Sequence, residues 1–196
     1  MNTETKTEQP LGKYRPSLAF YHATGKGDGC AVKFCLHPAH DNKDGCIMMT
    51  AANQVSVGSR TGKVPTFSQF DWEAGICVKL DFNDLSKIMQ VLRGECEDIE
   101  EGRGLYHKSI KGVTRIYFKH VCTEGANGYS IDLFRTPNGG TETDTAKTHI
   151  LLKPSEALGL CEAIAGAMVY VGLGIPMLVP HNTAAYDAAK RTALAA

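Results

Sequence analysis

Short apolar, strand-like runs dominate the first eighty residues. Ile76, Val78, Leu80 and Phe82 alternate with Cys77, Lys79 and Asp81, the period of a half-buried strand. Upstream, residues 17–23 and 30–37 are short strand-like runs, separated by Gly25, Gly27 and Gly29. Residues 46–51 form another, after the turn-rich Asp41-Asn42-Lys43-Asp44-Gly45. Residues 55–68 are polar and contain glycine, so a long loop is expected there. After Phe82 the spacing becomes helical, with Leu85, Ile88, Met89 and Leu92 on one side. Asn83 is the expected N-cap, Asp84 suits the positive helix end, and Gly94 supplies the stop.

The second half repeats this order. Strands are expected over 104–109, 113–121, 129–135 and 149–153, with a turn at Pro137-Asn138-Gly139-Gly140. A second helix follows Pro154, with Ser155 as cap, Glu156 in its first turn, and Leu158, Cys161, Ala165 and Met168 as its apolar side. Val78-Lys79-Leu80-Asp81-Phe82-Asn83-Asp84-Leu85 can be laid over Ile150-Leu151-Leu152-Lys153-Pro154-Ser155-Glu156-Ala157. The chain therefore reads as α+β: four antiparallel strands and a helix, twice over. The period is too long for a solenoid, so two modules sharing one core are expected. This domain spans 17–175, between a polar, disordered arm over 1–16 and a tail over 176–196 whose Ala-rich end suggests a short helix.

Alternation also sorts the strand faces. Thr114, Ile116 and Phe118 should point inward, leaving Arg115, Tyr117 and Lys119 free. By the same rule Lys33, Cys35 and His37 face out in 30–37, and Lys79 in 76–82. Ser130, Asp132 and Phe134 face out in 129–135, as do His149 and Lys153 in 149–153. The free faces thus collect Lys33, Lys79, Arg115, Lys119 and Lys153 with Tyr117 and Phe134. Five acids gather instead at Glu95, Glu97, Asp98, Glu100 and Glu101, read as a solvated loop. The formal net charge is zero and the isoelectric point about 7.0, yet a basic sheet surface survives this balance. Cations track phosphates, and exposed aromatics offer unpaired bases a stacking surface worth about 1–3 kcal/mol each. Single-stranded nucleic acid is the partner these faces suit.

Other chemistry is poorly served. Seven cysteines, an odd number, lie at 30, 35, 46, 77, 96, 122 and 161 without a secretory signal. Reduced thiols in a cytoplasmic protein are expected. Cys30, Cys35, His37, His40 and Cys46 suggest zinc, but Cys30 and Cys35 have opposite strand parity and the spacing lacks tight ligand pairs. Gly25-Lys26-Gly27-Asp28-Gly29 lacks the spacing of a phosphate-binding loop, and the histidines are scattered. No enzymatic activity, cofactor or metal is expected. Residues 163–179, the most apolar stretch, are broken by Gly166, Gly172, Gly174 and Pro176, and no membrane span is expected.

From about Gly25 to Gly174 the chain resembles the Whirly family, a single-stranded-DNA-binding fold best known from plant organelles. The most specific match is Phe70-Asp71-Trp72-Glu73 followed by strand and helix, similar to the family's Tyr-Asp-Trp segment. Lys43-Asp44-Gly45 with Cys46-Ile47-Met48-Met49 resembles its Lys-Asp-Gly turn and strand. Gly25-Lys26-Gly27 resembles part of its Lys-Gly-Lys-Ala-Ala-Leu motif, which Asp28, Gly29 and Cys30 interrupt here. In the family that motif supports assembly beyond a tetramer. The family's aromatic-rich second helix end is replaced by the Ala/Gly-rich stretch 163–174. The resemblance implies perpendicular sheets with helices between them, a homotetramer, and largely sequence-independent DNA binding along the sheets and between subunits. Trp72 is expected to pack or to make a subunit contact. Without an organelle transit peptide, a bacterial, phage or plasmid origin is expected. RNA binding, as in the related repeats of the PUR-alpha family, and a purely protein-binding assembly role are the alternatives.

Overall fold

The strand-like runs become strands in the computed structural model, which describes residues 16–39, 43–60 and 64–175. The N-terminal arm up to residue 15, the tail from residue 176, and His40 lie outside the described residues. The first half forms β1 (Ser17–His22), β2 (Cys30–His37), β3 (Cys46–Ser56), β4 (Gln69–Phe70) and β5 (Ile76–Leu80), then α1 (Phe82–Leu92). The second forms β6 (Leu105–Ser109), β7 (Gly112–Thr123), β8 (Ala126–Thr136) and β9 (Ala146–Leu152), then α2 (Pro154–Gly172).

All strand pairs are antiparallel. The second sheet is the four-stranded meander β6-β7-β8-β9, whereas the first has five strands, with β5 and the short β4 both paired to β3. The repeat of four strands and a helix is thus strict only in the second half. Part of the expected 55–68 loop is also strand, because β3 runs on to Ser56 and pairs with β4 through a register shift at Gln54 and Ser56. Gln54 hid this extension by being polar. Its buried amide is satisfied locally, donating to the Thr24 and Ser56 carbonyls and accepting from the Thr24 N–H.

Both helices start earlier than expected. Asp81, not Asn83, caps α1. Its carboxylate accepts from the Asp84 N–H while the Asp84 carboxylate accepts from the Asp81 N–H. Phe82 therefore opens the helix and is half exposed, instead of closing the strand on its buried side. In α2 the cap position is Lys153, whose N–H donates to Glu156, and Pro154 occupies the first turn. The buried face of α2 is Ala157, Leu160, Cys161, Ile164, Ala167 and Val171. Leu158 is 64% exposed, a correction to its expected place in the core. The helix is apolar on most of its circumference, so spacing alone did not fix which side faces in. By length and composition its 19 residues could cross a membrane. Here its buried side closes the core.

The inward residues of both sheets and the buried faces of α1 and α2 form one core. Ile116, Phe118, Ile131, Leu133, Ile150 and Leu152 enter from the second sheet, and Val32, Phe34, Met49, Val78 and Leu80 from the first. Polar ties join the halves at their margins. The Asn53 amide donates to the Lys147 carbonyl at 3.1 Å. The His22 Nε2 is 3.0 Å from both carboxylate oxygens of Glu156, so this nitrogen carries the proton. With the core sealed on one side of each sheet, the opposite faces of both sheets remain available to a ligand.

Candidate nucleic-acid interface

On the outer face of the second sheet, register places Tyr106 beside Arg115, Arg115 beside Phe134, and Phe134 beside Lys147. Aromatic and cation alternate across all four strands. The Arg115 guanidinium and the Lys147 ammonium each lie 6.0 Å from a ring centroid, over Tyr106 and Phe134 respectively. Two residues along β7, Tyr117 meets Phe134 edge-on, with centroids 5.8 Å apart. Lys119 is exposed beyond it. Arg115, Tyr117, Lys119 and Phe134 thus share one surface, with Tyr106 and Lys147 added to it.

The sequence carries a signal for both additions. Tyr106 lies in the expected 104–109 strand, and Lys147 lies just upstream of the expected start at His149. Once β9 begins at Ala146, Lys147 shares the parity of His149 and faces out. Between Tyr117 and His149 stands Asp132. One of its oxygens accepts from His149 Nδ1 at 2.6 Å and the other from the Ser130 hydroxyl at 2.6 Å. Ser130 is buried under this arrangement, a correction to its expected place on the free surface.

The acidic stretch near residue 100 is built into the surface. Its backbone joins β7 through an Asp98–Lys119 bridge and through the His120 N–H, which donates to the Glu97 carbonyl at 2.7 Å. Asp98 Oδ1 accepts from the Gly102 N–H at 2.8 Å, and Glu100 pairs with Lys87 at 2.6 Å. The Lys87 hydrogen bond and charge hold the Glu100 carboxyl below the usual glutamate value. Glu100 and Glu101 adopt φ of 55° and 54°, a left-handed pair that non-glycine residues rarely form. Gly104 closes the segment with φ 71°. A Cβ there would lie 3.0 Å from the Tyr117 ring and 2.5 Å from the Ile116 carbonyl. The expected solvated loop is therefore one wall of a cleft of about 590 Å³. Tyr117, Phe134, Lys119 and Asp132 form its other sides.

The remaining expected residues lie elsewhere. Lys33 is on the outer face of the first sheet, with its ammonium 5.0 Å from the Trp72 ring centroid. Tyr21 contacts both Phe70 and Trp72, with centroids 5.6 and 6.1 Å away, so this sheet has a smaller aromatic–cation patch of its own. Trp72 packs as expected, against Tyr21 and Lys33. Lys79 is exposed on β5, opposite Met48. Lys153 is at the start of α2, past the end of β9, because the strand stops at Leu152. Among the described residues no three His, Cys, Asp or Glu side chains converge as a metal site.

Neither a family model nor a curated protein matches the chain. Solved structures do. WHY1 from Arabidopsis thaliana superposes with a TM-score of 0.61 at 15% identity, over 81% of this chain and 86% of that one. The plant transcriptional regulator PBF-2 gives 0.60 at 15% identity, over 81% of this chain and 83% of that one. MRP1/MRP2 of Trypanosoma brucei gives 0.51 at 14% identity, over 80% of this chain and 93% of that one. At such identities the likeness is one of architecture, and it agrees with the resemblance read from the Lys-Asp-Gly turn and the Phe-Asp-Trp segment. The chain has the Whirly-type fold.

Proposed function

We propose that this protein binds single-stranded DNA, largely without regard to sequence, on the outer face of its second sheet. The observation that carries the reading is the cross-strand row Tyr106–Arg115–Phe134–Lys147. Rings and cations alternate there across neighbouring strands, so one strand of nucleic acid can lay its bases on the rings and its phosphates on the cations. Each base stacked this way contributes about 1–3 kcal/mol. A duplex keeps its bases paired and inaccessible to the rings, which is why the arrangement favours single strands. The first-sheet patch of Lys33, Tyr21, Phe70 and Trp72, with Lys79 nearby, extends the contact surface. Binding makes and breaks no covalent bond, so the function is non-catalytic.

The same reading takes the protein as an oligomer, with the tetramer implied by the resemblance as its expected state. Exposed apolar side chains at Leu158, Val169 and Leu173 on and after α2 support a subunit contact. Protection or organisation of single strands is the role such binding would serve.

Fluorescence anisotropy with labelled single-stranded DNA, the matched duplex and the matched RNA, at low and moderate salt, tests this directly. Tight, salt-weakened binding to the single strand over the duplex is expected. Stronger binding to RNA would change the polymer and keep the surface. Absence of binding at low salt would overturn the reading and leave the faces as protein-contact surfaces.

A further inference from the structure

The cleft beside Tyr117 differs in chemistry from the row next to it. Arg115, Phe134 and Lys147 offer rings and positive charge, a combination indifferent to base identity. The cleft offers rings, one ammonium and two carboxylates: Tyr117 and Phe134, Lys119, and Asp98 with Asp132. Its volume of about 590 Å³ has room for a nucleobase. Two carboxylates lining the cleft repel phosphate, so the backbone should stay outside and only a base enter.

The acceptors have capacity to spare. Asp132 receives one hydrogen bond on each oxygen, from His149 and from Ser130, whereas an ionised carboxylate offers about four acceptor sites. Those two bonds also fix the orientation of Asp132. Asp98 Oδ1 is occupied by the Gly102 N–H, and its Oδ2 takes no protein hydrogen bond among the described residues. The 97–104 wall is anchored to β7 through Glu97, Asp98 and Gly104, so both carboxylates are held in place before a ligand arrives.

From this geometry we infer that the cleft is a base-selective subsite, accepting a base with an exocyclic amine and disfavouring thymine or uracil. The inference rests on the single-strand reading above. Asp98 and Asp132 are the specificity-determining residues. They accept hydrogen bonds from an amine, whereas the O4 carbonyl that replaces the amine of cytosine in thymine would meet a negative charge. Tyr117 and Phe134 hold the base plane, and Lys119 donates to a base carbonyl or a neighbouring phosphate. Binding as a whole stays tolerant of sequence, with a preference superimposed at one nucleotide per cleft.

Cytosine and thymine are the informative pair, being pyrimidines of similar size. Anisotropy with equal-length homopolymers of dC and dT, at mildly alkaline pH where cytosine is unprotonated, is expected to show dC bound tighter by about tenfold. Asp132→Asn and Asp98→Asn, made separately because Asp98 also caps its turn, should each bring the ratio towards one. Part of that change should be a gain in dT affinity, since an amide can also donate. Tight but equal binding of dC and dT, a dT preference, or a dC preference untouched by both variants would overturn the subsite while leaving single-strand binding intact. Failure to bind either polymer at low salt would overturn the underlying reading as well.

Discussion

Arg135, near the end of β8, donates from Nη2 to the backbone carbonyl of Cys77 in β5 and from Nε to Thr114 Oγ1 at 3.0 Å. One guanidinium thereby ties an inner position of the second sheet to the first. Burial pushes its pKa down from the ordinary arginine value, yet the group stays charged at neutral pH. Replacing Arg135 with Met leaves the Cys77 carbonyl and the buried Thr114 hydroxyl without their donor. A loss of about 1.5–3 kcal/mol in unfolding free energy is expected, as for hydrogen bonds to charged groups. Arg135→Lys should recover only part of it, because an ammonium lacks the planar fork that reaches both acceptors. Urea unfolding of the three proteins measures this, and equal midpoints would show that the clamp contributes nothing.

Glu156 joins the two halves through His22 and sets an acid limit on stability. Partial burial pushes its carboxyl up. That effect is outweighed by the Lys153 N–H, the His22 hydrogen bond and charge, and the Lys153 charge, so the folded value lies below the usual one. A depressed folded pKa gives stability that is fully present above the unfolded value, about 4.3 for glutamate, and lost as pH falls through the folded value. Thermal melts of the wild type should therefore drop through this acidic window. Glu156→Gln should start lower at neutral pH and fall less steeply across it. Parallel curves for the two proteins would show that other carboxylates govern acid unfolding.

How far these features could be read in advance depended on periodicity. Strands β2, β5 and β7 were plain because Val32 with Phe34, Ile76 with Val78 and Leu80, and Ile116 with Phe118 alternate cleanly with polar neighbours. The Arg115–Tyr117–Lys119 surface followed from the same alternation. Three things were not legible, each for its own reason. Gln54 is buried through hydrogen bonds that only the fold supplies, so the end of β3 looked like loop. Glu100 and Glu101 take backbone conformations that no local rule assigns to glutamate, so a wall of the cleft looked like a solvated acidic run. Arg135 finds its acceptor in Cys77, 58 residues away, and no spacing signals such a pair.

Thiol reactivity should follow burial closely. The Cys30 thiol is buried and pushed up to about 11 by desolvation, partly countered by a backbone hydrogen bond at Ala52. Cys96 is raised too, by burial and then by the nearby Asp98 and Glu95 charges. Cys161 is buried with its sulfur 4.0 Å from Met89 Sδ, whereas Cys122 is exposed in the β7–β8 hairpin. Since the thiolate is the nucleophile, iodoacetamide at mildly alkaline pH should label Cys122 first and Cys30 and Cys161 only on unfolding. Peptide mapping by mass spectrometry against time gives the order. Early labelling of Cys30 would mean that β2 opens far more readily than its packing against β1 and β3 implies.

The salt dependence of binding separates the cations that meet phosphate from those that do not. Each phosphate contact on a single strand contributes about 0.7 to the slope of log affinity against log salt. Arg115→Ala and Lys147→Ala should each lower the slope by about that amount, and Arg115→Ala with Lys119→Ala by about twice as much, in proteins that remain folded. Lys153 lies at the start of α2, off the sheet surface, so Lys153→Ala should leave the slope unchanged. Tyr117→Ala acts through a different term. Its loss should weaken single-strand binding by about 1–3 kcal/mol without changing the slope, and weaken duplex binding less. Salt titrations of each variant on single strand and duplex distinguish these outcomes. A slope that falls equally for Lys153→Ala and Arg115→Ala would mean that the cations act as a diffuse field, and that the ordered row across β6, β7, β8 and β9 does not guide the strand.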